Sequence, residues 1–289
     1  MISIIIPHKN SIELLQRCID SIPTKESLEV IVVDDNSGID QENWIDFSER
    51  NRNVSLYLTK KGKGAGYARN VGLNHAKGEW VMFSDADDYF YPGAFDVIDN
   101  YVSCHKDVDV VYFICNSRDG TTNEILPDRV PRIRKAIQSK DVNLLRYKSY
   151  VPWGKIIRRS LIDTNCIQFE EIEVSNDLMF STLIGYYSKS VGLIEDCLYC
   201  CTRNEGSLFY KMTPERRQIR LNAALRVNSF LHEKGLKQFY LDTTLNTFSF
   251  LPYRPLLFLK YLFACWYRDN TLLYLKNVAR RIYLMLFSK

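Results

Sequence analysis

Short apolar runs alternate with helical spacings over the first ninety residues. Residues 2–6 (ISIII) are continuously apolar and stop at Pro7, and residues 12–22 set Ile12, Leu14, Leu15, Ile19 and Ile22 on one helical face. A second apolar run, 28–33, ends in Asp34-Asp35-Asn36-Ser37-Gly38; helix-like 41–50 and strand-like 54–58 follow. Gly62, Gly64 and Gly66 read as a loop, 67–76 as a helix, and 79–84 as a fourth strand. Strands that alternate with helices predict an α/β fold with a largely parallel sheet. Apolar runs that do not alternate with polar residues fit strands covered on both faces.

Beyond residue 90 the spacing predicts a helix over 93–104, a strand over 108–114, helices near 158–163 and 176–187, and a strand over 191–201. Residues 116–150, polar and carrying Gly120, Pro127 and Pro131, read as a variable loop region. From about 214 to the end the pattern is helical, broken at Pro252 and Pro255. The expected organisation is one domain over 1–212 and a helical C-terminal region over 213–289.

Charge changes this picture at one end. The net charge is +4, yet residues 253–289 hold seven Lys/Arg and one acid, Asp269, so that stretch carries +6 and the remainder −2. A chain that is not basic throughout does not read as a nucleic-acid binder. The basic stretch is rich in Leu, Phe, Tyr and Trp, the composition of a helix lying on a membrane surface; packing on the domain or a homodimer contact is the alternative. The opening MISIIIPHKN reads as a strand rather than a signal peptide. Eight cysteines in a chain this size fit small half-buried residues in a reducing compartment, and Cys197, Cys200 and Cys201 lack the second pair that a zinc site wants.

In such sheets ligands bind beyond the carboxyl ends of the strands, and the informative polar residues fall there: Asn10, then Asp34 and Asp35, then Asp85, Asp87 and Asp88 in FSDADDY. Carboxylates on one turn suit a hard cation bridging to a diphosphate, or a solvated turn with Asp as a helix cap. KKGKGAGYARN (60–70), with Lys63 and Arg69, suits an anion at a helix start, or a flexible loop; it lacks the ending of a Walker A loop. Asp34-Asp35 suits hydrogen bonds to a ribose or base, or an Asx-turn.

Taken in order, IIIPHKN, VVDDNS, GAGYARNVGL and FSDADDY resemble the signatures of the family 2 glycosyltransferases with the GT-A fold. The likeness is close over 1–90 and looser to about 210, where PWGKIIRRSLI (152–162), SNDLMFS (175–181) and CTRNEGSL (201–208) are similar to later family segments. The resemblance implies an inverting, metal-dependent transfer of a sugar from a nucleotide-diphospho-sugar, a UDP-sugar foremost, to a hydroxyl of a lipid-linked or polysaccharide acceptor. It places the protein in surface glycan biosynthesis (O-antigen or capsule), in the cytoplasm and peripheral on the inner membrane face. It implies Pro7, Asn10, Asp34, Asp35, Lys63, Arg69 and Asp85 for the nucleotide sugar. Asp87 with Asp85 would hold Mn²⁺ or Mg²⁺, and Asp177 would be the general base. Trp153, Lys155 and Asp88 would face acceptor or sugar. Asn176 stands where the family commonly has Glu, and His8-Lys9 replace a more usual pair. A non-catalytic nucleotide-sugar-binding protein, or a scaffold of a glycan assembly complex, is the competing reading; the acids at 85, 87 and 177 speak against a decayed site.

Overall fold

Four parallel strands form the frame that the alternating pattern predicts. In a computed structural model these are β1 (Ile2–His8), β2 (Leu28–Asp35), β3 (Val54–Thr59) and β4 (Trp80–Phe83), linked by α1 (Ile12–Asp20), α2 (Gln41–Arg50) and α3 (Ala65–His75). The structure describes residues 1–204, 213–243, 247–248, 250–251, 254–268 and 279. Their order is β3-β2-β1-β4, so the chain leaves β1 towards one edge and returns to its other side at β4. The switch point therefore lies between β1 and β4, where a crevice opens beyond the strand ends.

The sheet continues as β8 (Lys155–Arg158), β6 (Val110–Asp119), β9 (Val191–Arg203) and β5 (Tyr89–Phe90), with β7 (Ile125–Leu126) pairing β6. β4–β8 and β8–β6 are antiparallel, and β6–β9 is parallel. The sheet is thus mixed. Every residue of β1 and β4 is buried, as continuous apolar strands require.

Three expectations are corrected. β1 runs through Pro7 to His8 rather than stopping before it. Proline is tolerated in this central strand because the ladder to β4 ends at Ile5↔Phe83, leaving no partner there for the missing N–H. Gly66 belongs to α3, not to the loop. Residues 116–150 are not a loop: they hold the end of β6, β7, α5 (Pro131–Gln138) and α6 (Val142–Lys148). Pro131 opens α5 where no N–H is needed, and Asp141 caps α6 by accepting from the Leu144 N–H at 3.0 Å. PWGKIIRRS contains the short strand β8 ahead of α7 (Arg159–Thr164). The remaining helices of this region are α4 (Ala94–Cys104) and α8 (Asp177–Tyr187).

The chain divides into two compact units, Met1–Ser207 and Leu208–Lys289. The first is built on the sheet. The second contains α9 (Pro214–Glu233), a 3-10 turn at Lys237–Phe239 and a helix over Pro255–Arg268. Leu221, Leu225, Phe248, Phe250, Phe258 and Tyr261 form its core. On the helix over Pro255–Arg268, Leu256, Leu259 and Phe263 are 82%, 47% and 62% exposed. Except for residue 279, the basic stretch beyond 268 lies outside the described residues. No helix among the described residues is long and apolar enough to cross a membrane.

Candidate active site

Four strand and helix ends converge beyond the switch point. At the end of β1, the buried His8 accepts from the Ser11 N–H at Nε2 (3.1 Å), which leaves Nδ1 to donate to Asp34 at 2.9 Å. Asp34 also accepts from the Ser37 N–H at 2.9 Å and from its hydroxyl. Burial acts to raise the Asp34 carboxyl, but the bonds from His8 and Ser37 prevail and hold it below 3.8. Asn10, at φ 62°, bonds to the neighbouring loop: its N–H donates to Ser37 Oγ at 2.8 Å and its Oδ1 accepts from the Gly38 N–H at 2.9 Å. Asn10 and Asp34, expected at the nucleotide, tie the β1 and β2 loops together through the Asn10 N–H and Oδ1 and both Asp34 oxygens. Because the folded Asp34 titrates below its unfolded value, its stabilisation is present above 3.8 and is lost as pH falls through the folded pKa. Asp34→Asn should cost about 1–3 kcal/mol at neutral pH, with the gap to wild type narrowing in acid. Urea unfolding across pH checks this; a gap that widens in acid would refute it.

Asp35 differs from Asp34 in one respect. Its Oδ2 accepts from the Gly64 N–H at 2.8 Å and lies 3.5 Å from Lys9 Nζ, but its Oδ1 is buried without a hydrogen-bond partner. Buried acceptors are rarely left unpaired, so this atom is positioned for a donor that is not part of the fold. Pro7 is buried in β1, opposite Val33 of β2. Lys63, expected at the diphosphate, is held on the surface by Glu171 at 2.8 Å and over the Tyr67 ring at 5.2 Å.

Arg69 is the centre of the site. From the second turn of α3 its Nη2 donates to Asp85 Oδ1 at 2.7 Å, and its Nη1 donates to Asn176 Oδ1 at 2.9 Å. Its guanidinium lies over Phe169 at 5.3 Å, and its Nε is buried without a partner. Asn70 beside it exchanges two bonds with the Phe169 backbone, at 2.9 and 2.8 Å. A Cβ on Gly66 would stand 2.3 Å from the Glu170 carbonyl, so glycine is what lets α3 approach this segment. The helix therefore fixes residues 169–176, and through them Asp177, the first residue of α8. Burial raises the Asp177 carboxyl above 3.8, with Asp85 adding to the rise; Arg69 and Lys155 act against it.

The acid turn divides its labour. Burial first, and then the charge of Asp85, raises the Asp87 carboxyl, whose Oδ2 accepts from Asn204 Nδ2 at 3.1 Å. Asp88, 1% exposed, is turned inward: it accepts from Tyr199 Oη at 2.6 Å and from the Thr202 N–H at 2.7 Å. Its expected contact with acceptor or sugar is replaced by this buried role. The same correction applies to Trp153, 3% exposed and stacked on Tyr199 with centroids 5.8 Å apart. Lys155 is fully buried, donating to Ser181 Oγ at 3.1 Å and the Ser149 carbonyl at 3.3 Å; burial pushes its ammonium down to about 7. Neither side chain leaves surface for a saccharide.

Asp85 and Asp87 offer hard oxygen ligands whose mutual charge a divalent cation would relieve, so the donor set fits Mg²⁺ or Mn²⁺. Among the described residues no group of three His, Cys, Asp or Glu closes around one point. The fit is to a cation completed by phosphate and water rather than to a protein cage. Asn70, Tyr199, Thr202 and Asn204 were not singled out by sequence reasoning. Asn70 lies in GAGYARNVGL, and Thr202 and Asn204 lie in CTRNEGSL, so those three carried a signal as segments though not as residues; Tyr199 carried none.

The family model described as "Glycosyl transferase family 2" matches residues 3–165. The poly(ribitol-phosphate) beta-N-acetylglucosaminyltransferase TarS of Staphylococcus aureus (strain Mu50) is 29% identical over 265 residues, which cover 86% of this chain and 44% of TarS. The glycosyltransferase GlyG of Streptococcus pneumoniae serotype 4 is 27% identical over 231 residues, 72% of each chain. GlyA of the same organism is matched over 31% of its length, so this chain spans well under half of some relatives. Among solved structures, S. aureus TarS 1–349 in complex with UDP-GlcNAc superposes with a TM-score of 0.64 at 21% identity, over 93% of this chain and 74% of that one. The mannosyltransferase PcManGT of Pyrobaculum calidifontis, in complex with GDP-Man and Mn²⁺, gives 0.61 at 17%, over 99% and 80%. These likenesses establish the GT-A fold that the motifs led us to expect.

Proposed function

The chain belongs to glycosyl transferase family 2, and on that footing we propose that it moves a sugar from a nucleotide-diphospho-sugar to an acceptor hydroxyl with inversion. The observation that carries the reading is the Arg69 bridge, which joins Asp85 of the acid turn to the N-terminus of α8, where Asp177 stands. A donor seated at the acid turn then has a carboxylate on its acceptor side.

Asp35 Oδ1 supplies an acceptor for a base N–H, which the N3–H of uracil would meet. That favours a uridine nucleotide, in keeping with the UDP-GlcNAc bound to TarS. Asp87, with Asp85, would hold a divalent cation, which when bound neutralises charge on the departing diphosphate. Asp177 takes the proton from the acceptor hydroxyl as its oxygen forms the bond to the anomeric carbon. A carboxyl raised by burial, with Arg69 and Lys155 acting against the rise, is a better proton acceptor than a free aspartate. A thermal-shift screen of UDP-, GDP- and CDP-sugars with Mn²⁺ tests this. A uridine donor should raise Tm most, and equal shifts from CDP-sugars would refute the Asp35 assignment.

The acceptor we infer is lipid-linked saccharide on the cytoplasmic membrane face, met by a protein lying on that surface. The support is the +6 charge of 253–289 together with the exposed stripe Leu256, Leu259, Phe263. Deleting the stretch would remove Phe258 and Tyr261 from the core of the second unit. The better variant changes the three stripe residues to serine. It should leave anionic vesicles in flotation assays that retain the wild type, and undiminished binding would overturn the assignment.

A further inference from the structure

The acid turn is held by the far end of another strand. Tyr199 Oη accepts from the Asp85 N–H at 3.0 Å, donates to Asp88 at 2.6 Å and lies 3.3 Å from Ser84 Oγ. Thr202 bonds twice, from its N–H to Asp88 and from its hydroxyl to the Asp87 carbonyl. Arg17 Nη2 donates to that same carbonyl and, at 3.2 Å, to Thr202 Oγ1. Asn204 then reaches the Asp87 carboxylate itself. β9 thus fixes the backbone of the turn at 199 and 202, and the residue that follows the strand, Asn204, holds the side chain of Asp87.

A glycine sets the direction of the Asn204 amide. A Cβ on Gly120, in the turn after β6, would stand 1.8 Å from Asn204 Oδ1, and the Gly120 N–H donates to the Arg203 carbonyl at 3.0 Å. The missing side chain is the space that the amide oxygen occupies, which leaves the NH₂ to face Asp87. Gly120 has no positive φ, so alanine meets no backbone strain; its Cβ meets the Asn204 amide first and the Arg203 carbonyl less closely, at 3.3 Å.

We propose that Gly120 and Asn204 form a positioning device for the metal-binding carboxylate: Gly120 orients the Asn204 amide, and the amide holds one oxygen of Asp87 so that the other is presented to the cation. This rests on the reading of Asp87 as a metal ligand. Hydrogen bonds to a ligating carboxylate fix its orientation, and their loss costs metal affinity about 10- to 100-fold.

The test is UDP binding by titration calorimetry, with MnCl₂ and with EDTA, on the full chain. The quantity read is the Mn²⁺-dependent gain in UDP affinity. Asp87→Asn should abolish the gain. Gly120→Ala and Asn204→Ala should each reduce it about 10-fold or more, leave UDP affinity in EDTA unchanged, and do no more together than either alone. A merely structural role would lower Tm and weaken UDP binding in EDTA as well. If Asp87→Asn keeps the gain, the metal reading falls and this inference with it. If Asp87→Asn loses the gain while Gly120→Ala and Asn204→Ala keep it, the inference alone is overturned.

Discussion

Asp177→Asn should lower kcat by about 100- to 10,000-fold, the range that a positioned general base contributes, while leaving UDP affinity near that of wild type. The amide has nearly the shape of the carboxylate but cannot take a proton at neutral pH. Asp177 begins α8, where the helix dipole tolerates either side chain, so the fold should not respond. Single-turnover transfer and calorimetric binding on the same preparation separate the two effects. Full activity in the variant would remove Asp177 from the mechanism. An equal fall in UDP affinity would reassign it to donor binding.

Arg69→Ala should have the broader effect, on stability and on chemistry together. The guanidinium is 7% exposed and its partner Asp85 29% exposed, so removing one member leaves a carboxylate largely cut off from water. Breaking a buried pair in this way costs about 3–5 kcal/mol, and the partial exposure of Asp85 points to the lower end. Asn176 also loses its donor, which loosens the segment leading to Asp177. Arg69→Lys should recover part of the stability but not the geometry, because one ammonium cannot reproduce a planar fork held at two sites. Arg69 also acts against the rise of the Asp177 carboxyl. Without its charge that pKa climbs, so the acid limb of the kcat–pH profile should move to higher pH in Arg69→Lys only slightly, and in Arg69→Ala clearly. A limb that stays in place in both variants would show that Arg69 and Asp177 are not electrostatically joined.

The two halves of the site were legible to different degrees. Asp35, Asp85, Asp87 and Arg69 stand within a few residues of strand ends or a helix start, and local spacing was enough to mark them as candidates. Asp34 and Asp35 show where that signal stops. They are adjacent and chemically identical, and nothing in VVDDNS separates them. The structure separates them by their surroundings: His8 and Ser37 saturate Asp34, while Asp35 keeps one buried oxygen unpaired. Lys155, expected at acceptor or sugar, is buried instead, which no local pattern signals in a residue type that is mostly exposed; Ser149, Ser181 and Tyr112 make its burial tolerable.

By itself the sequence determined the alternating frame, the strand ends at which ligands bind, and the acids on the FSDADDY turn. These follow from patterns a few residues long, set by the periods of helix and strand. The tertiary structure alone decided which acid keeps an oxygen free of protein partners and which is a strut. Asp88 was turned inward by Tyr199 and Thr202, more than a hundred residues away in the chain. Asp87 was joined to Asn204, and Asn204 found room because Gly120 carries no side chain. The physical reason is that a carboxylate's role is fixed by its hydrogen-bond partners and its access to water, and both are set by packing between segments that no local pattern connects.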